Sequence, residues 1–110
     1  MTEEISLNEA LISSAERTIN ELVDAGKPDH HEKIVQQSKN IRVNWTTLLE
    51  NFARLKAQPM KNLEMNFFNL HGNVMSDIDS LKRTVKKVKL ASPLVEDIKS
   101  IIEALQVNRL

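Results

Sequence analysis

From Ile34 to Leu55 the chain keeps an unbroken heptad: Ile34, Ser38, Ile41, Trp45, Leu48, Phe52 and Leu55. Steps of four and three residues return to the same side of an α-helix every two turns. One narrow stripe of a long helix must therefore be covered by partner helices. Trp45, the only tryptophan, sits in the middle of the stripe, and polar residues fill most positions around it. Such a pattern fits an antiparallel helical bundle. It constrains the fold and leaves the reaction, if any, open.

The flanking segments read the same way. Ile5, Asn8, Ile12, Ala15, Ile19 and Leu22 make a second heptad, widened by Leu11 and Val23. Gly26 follows as a C-terminal cap, and Pro28 forbids continuation. Asp29 and Glu32 have the spacing of a capping box for the next helix. Gly26-Lys27-Pro28 is thus a tight turn, and the first two helices should be antiparallel neighbours. Pro59 falls where the next heptad position of the second helix would be. It ends that helix in a sharp turn, or it kinks a helix that continues.

The third segment carries Leu63, Phe67, Leu70, Val74, Ile78, Leu81, Val85 and Val88 at helical spacing, with a stutter at 70, 74 and 78. A second stripe, Met65, Phe68, Gly72 and Met75, runs beside it. The middle of this helix is therefore apolar around much of its circumference. Gly72 costs about 1 kcal/mol inside a helix, so close approach of another helix is its expected reason. Ser92-Pro93 is a strong restart signal. Leu94, Ile98, Ile101 and Leu105, flanked by Val95 and Ile102, then give a short apolar helix, with Glu96 and Asp97 near its positive end.

Composition supports few, long elements. The 110 residues suit one domain and contain only two glycines and three prolines. The expectation is an all-α fold: an antiparallel four-helix bundle with a long central helical hairpin. It forms a single domain over residues 1–110, with helices at about 5–25, 29–57, 60–90 and 93–108. Net charge is zero but unevenly spread. Residues 1–25 carry six acidic residues against one arginine, for −5, while 26–59 and 60–90 each carry +3. An acidic first helix should lie against the basic middle hairpin. Such pairing sets orientation more than stability, since exposed ion pairs contribute about 0–1 kcal/mol each.

Leu22, Gly26-Lys27-Pro28-Asp29, Ile34, Ile41, Trp45 and Leu48 together resemble part of a spectrin repeat. They are similar to that family's second helix, its turn, and the tryptophan of its third helix. Leu63 to Leu81 then corresponds to the first helix of a following repeat. The resemblance covers about half the chain and departs from the family at Pro59 and in lacking the first-helix tryptophan. It implies a scaffold or spacer role without catalysis.

Candidate sites are few. Asp29-His30-His31-Glu32 gathers possible metal ligands, but adjacent histidines point about 100° apart on a helix and cannot easily share one ion. A capping box with two solvated histidines is the expected arrangement, and no metal site is assigned. Lys82, Arg83, Lys86, Lys87 and Lys89 put five cations in eight residues, with Lys82, Lys86 and Lys89 on one face. They offer a site for an acidic ligand, either nucleic acid or acidic lipid. No aromatic residue interleaves with them and the domain is neutral, so nucleic acid is disfavoured. Asp77 and Asp79 lie two apart and do not share a helix face. Ser13, Ser14 and Ser76 have no nearby base in sequence, and no glycine-rich phosphate loop exists. No catalytic residue and no cofactor is expected.

The stronger lead is the Met65, Phe68, Gly72, Met75 stripe, because one helix of a closed bundle needs only one apolar face. Methionine is adaptable at contact surfaces. The expected function is a non-enzymatic interaction module or small subunit that binds a partner helix, or its own copy, through the third helix. A spectrin-like spacer is the alternative. Cysteine is absent, and no apolar run approaches the ~18 residues that span a bilayer. The acidic start, Met1-Thr2-Glu3-Glu4, is unlike a signal peptide. An intracellular protein, cytoplasmic or nuclear, is the expectation.

Overall fold

A computed structural model describes residues 2–26 and 28–108. They form α1 (Thr2–Gly26), α2 (His31–Ala57), α3 (Lys61–Lys86) and α4 (Pro93–Val107). Packing runs α1 on α2, α2 on α3, α3 on α4 and α4 back on α1, the ring of a four-helix bundle. The α2–α3 hairpin and the α1–α4 pair are the most extensive contacts. Helices of 26 and 27 residues are about 40 Å long at 1.5 Å per residue, which explains an elongated body of 47 × 22 × 20 Å. The radius of gyration is 14.8 Å, against about 13 Å for a spherical domain of this size.

The heptads become the core. Ile5, Asn8, Ile12, Ala15, Ile19 and Leu22 of α1 are all buried, and Ile34, Ile41, Trp45 and Leu48 of α2 meet them. Burial fades toward the Pro59 end, where Phe52, Leu55, Leu63 and Leu70 are only half-buried. In α4 the buried line is Val95, Ile98, Ile102 and Leu105, with Leu94 and Ile101 at its edge. This face is rotated from the expected one because α4 contacts α1 and α3 together, so the centre of its buried surface lies between them.

Several polar groups inside the bundle have partners. Asn8 exchanges hydrogen bonds with Asn108, donating to its carbonyl at 3.2 Å and accepting from its side-chain amide at 2.7 Å. The same amide donates to the Glu4 carbonyl, so the C-terminal cap of α4 is fastened to α1. Asn51 donates to the Leu63 carbonyl at 2.9 Å across the hairpin, and Asn44 donates to Asp77. Among the described residues, Arg42 of the middle hairpin pairs with carboxylates of the acidic first helix. Arg42 of α2 reaches Glu16 at 2.5 Å and Glu9 at 2.9 Å, and donates to Ser13. Hydrogen bonding to Glu16 holds the Arg42 guanidinium above its ordinary pKa, against the opposing effect of partial burial.

Of the two arrangements expected at Pro59 the turn is the one found: α2 stops at Ala57 and α3 starts at Lys61. Other helix ends depart from expectation. Gly26 does not cap α1 in the left-handed region; it remains helical, and Lys27 lies outside the described residues. The left-handed residue of that turn is His30, at φ 64° and ψ 15°. The Asp29–Glu32 capping box does not form either. Asp29 instead accepts from the Lys89 backbone amide at 3.2 Å, which ties the α1–α2 turn to the α3–α4 connection. That bond, with the extended backbone of Ser92 ahead of Pro93, explains why α3 ends at Lys86 and not near residue 90. Ser92 caps α4 as its sequence signals, accepting from the Leu94 amide at 3.2 Å.

His30 is exposed, and its left-handed backbone is strained for a side chain that bears a Cβ. His30→Gly is expected to stabilise the fold by up to about 1 kcal/mol, measured as a higher urea midpoint. An unchanged or lower midpoint would mean that the contact of His30 with Asp29, at 3.6 Å, outweighs the strain.

Candidate protein-interaction face on the third helix

The two stripes of α3 have different fates. Phe67, Val74, Ile78, Leu81 and Val85 are buried in the core. Met65 and Phe68 are 57% and 66% exposed, Gly72 is exposed, and Met75 is half-buried against the core. The cause is the length of α4. Its 15 residues cover about 22 Å of an α3 helix of about 39 Å. Lys82 donates to Gln106 at 3.1 Å, so the last turn of α4 lies beside the C-terminal half of α3. Phe68 and Met65 lie four turns or more nearer the Pro59 end, beyond the reach of α4. Phe68 therefore rests only its edge on Phe67, at 6.1 Å between ring centroids, and Phe67 turns inward to Phe52 at 5.8 Å.

Gly72 has no packing reason among the described residues. A Cβ built on it would meet nothing within 4 Å, so the expected close approach of a helix does not occur inside this bundle. Met60, 51% exposed at the start of α3, adds apolar surface near this stripe. It sits outside the helical stripe, so periodicity carried no signal for it. The other flank of α3 is polar: Thr47, Glu50, Asn51, Arg54, Asn66, Asn69 and Leu70 line a groove of about 290 Å³.

The basic run is not one face. Because α3 stops at Lys86, Lys87 and Lys89 lie past its end, and Lys82, Lys86 and Lys89 do not align as expected. Arg83 is held by Asp79 at 2.6 Å and Lys82 by Gln106. Lys82, Lys86 and Lys99 do line a groove of about 120 Å³ between α3 and α4, with Glu103 among them. Asp29, His30 and His31 stand at the α1–α2 turn, where His31 contacts the Pro28 carbonyl at 3.1 Å, and His71 lies on α3. Among the described residues, no three His, Asp or Glu side chains gather as a metal would need. Asp77 and Asp79 point to different partners, Asn44 and Arg83.

No family model, curated protein or solved structure matches this chain. The face on α3 therefore has to be read from its own chemistry. No helix among the described residues is long and apolar enough to cross a membrane.

Proposed function

We propose that this chain is a non-enzymatic protein–protein interaction module, acting inside the cell and binding a helix through Met65, Phe68, Gly72 and Met75. The observation that carries the reading is the open stripe itself. Two large apolar side chains stand exposed beside a helical glycine at which an added Cβ would meet nothing within 4 Å among the described residues. Burying a residue such as Phe or Met contributes about 1.5–3 kcal/mol, and a central aromatic anchor is the usual seat of binding energy. Gly72 would let the partner backbone come close to α3. The acidic-ligand reading has weaker support, because Lys82 and Arg83 are engaged within the chain and Glu103 lines the same groove as the lysines.

The test compares the native mass of the protein, drawn gently from its source cells, with that of Phe68→Asp. The wild-type chain is expected in a species heavier than its own 12.6 kDa, and the exposed-site variant at the monomer mass with unchanged helicity. A wild-type chain that runs at its monomer mass, or a heavier species that survives Phe68→Asp, would overturn the reading.

A further inference from the structure

The stripe on α3 is longer than its apolar part. Lys61, Met65, Phe68, Gly72, Met75 and Asp79 follow steps of four and three without a break. At about 100° per residue they fall within a band roughly 80° wide, a second heptad seam on the same helix. It begins with an exposed cation and ends with a carboxylate whose side chain is 42% exposed.

This seam is complementary to itself when reversed. We propose that its occupant is the same seam of a second copy, with the two α3 helices antiparallel about a two-fold axis at the level of Leu70. The proposal rests on the reading of α3 as an interaction face and names its partner. In that register Phe68 of each copy faces Gly72 of the other. A large ring then meets the one position where a side chain is missing and where the space within 4 Å is open. Met65 of each copy faces Met75 of the other, two adaptable side chains in contact. Lys61 faces Asp79 at both ends of the seam, so every layer occurs twice, as an isologous interface requires.

The parallel alternative fails in each layer. It sets Lys61 against Lys61 and Asp79 against Asp79, opposing like charges. It also sets Phe68 against Phe68 and leaves a gap where the two Gly72 residues meet. Asp79 already holds Arg83 at 2.6 Å on its own helix, and a carboxylate has acceptor capacity for a second cation. The chain has zero net charge, so two copies meet without long-range repulsion. A single helix seam is smaller than a standard interface, so the dimer is expected to dissociate at about micromolar concentration.

Sedimentation equilibrium of the purified full chain, from about 1 μM to about 1 mM, is the first measurement. A monomer–dimer equilibrium is expected. Gly72→Ala should weaken the dimer at least tenfold while raising the melting temperature of the monomer, since alanine favours the helix. That pairing of opposite signs excludes misfolding as the cause. Lys61→Asp and Asp79→Lys should each weaken the dimer, and the two together should restore it. The chain has no cysteine, so Met65→Cys/Met75→Cys can be joined with a short bismaleimide. It should crosslink into dimers far faster than Met65→Cys alone. Equal rates would overturn the antiparallel register. A chain that stays monomeric over the whole range would overturn self-association. If a heavier native species sensitive to Phe68→Asp exists in that case, the interaction face stands with a different occupant; if none exists, both readings fall.

Discussion

Trp45→Ala is expected to cost about 3–5 kcal/mol of folding stability, the largest loss from any single truncation in α2. Trp45 is 1% exposed and lies in the cluster that joins all four helices. Removing its ring deletes the most apolar volume available at one position. The α2–α3 hairpin and the α1–α4 pair meet through this cluster, so neither pair can close the gap without losing its own packing. A domain with a typical reserve of about 5–15 kcal/mol would lose a large share of it. Equilibrium urea unfolding by circular dichroism measures the change. Trp45→Phe provides the contrast. The indole Nε1 is buried and has no hydrogen-bond partner among the described residues. An unpaired buried donor costs about 1–3 kcal/mol, so phenylalanine removes a penalty while it loses volume. Its net loss should stay well under half that of alanine. Equal losses in the two variants would mean that the indole N–H is satisfied by water and that ring size alone governs the site.

Most of the fold was legible in the chain because its determinants are local and periodic. The α1 heptad is buried at every position that its spacing names, the α2 heptad is buried at Ile34, Ile41, Trp45 and Leu48, and Pro59 and Ser92-Pro93 break the helices where they stand. The errors share one physical origin. Asp29 has the spacing of a capping residue, yet its carboxylate binds the Lys89 amide, sixty residues away. Val85 and Val88 continue the helical spacing, so nothing local announces that α3 ends at Lys86. Gly26 looked like the left-handed residue of its turn, whereas His30 adopts that conformation. Each of these depends on how two connections meet at one end of the bundle. The face on α3 was legible as a surplus of apolar residues. Its exposure was not, since that follows from where α4 ends. Lys61 and Asp79 were not legible as ends of a seam, because charged residues do not register as hydrophobic pattern.

Phe67 and Phe68 are adjacent, and their truncation is expected to have opposite consequences. Phe67 is 3% exposed and packs on Phe52 in the core, so Phe67→Ala should cost about 3–5 kcal/mol in urea unfolding. Phe68 keeps two-thirds of its surface in solvent, and Phe68→Ala should change monomer stability by no more than about 0.5 kcal/mol. Its effect belongs to association. Loss of a central aromatic anchor costs about 2 kcal/mol or more of binding energy, about a thirtyfold rise in the dissociation constant. The two readouts must separate, with stability measured at a concentration where the chain is monomeric. Phe67→Ala then reports on the bundle and Phe68→Ala on the seam. A large stability loss in Phe68→Ala would mean that its edge contact with Phe67 is part of the core. The second stripe would then be ordinary packing at the open end of the hairpin. A stable, non-associating Phe68→Ala beside a strongly destabilised Phe67→Ala is the result that makes α3 a helix with two separate faces. One face is spent on its own bundle, and the other is kept for a neighbour.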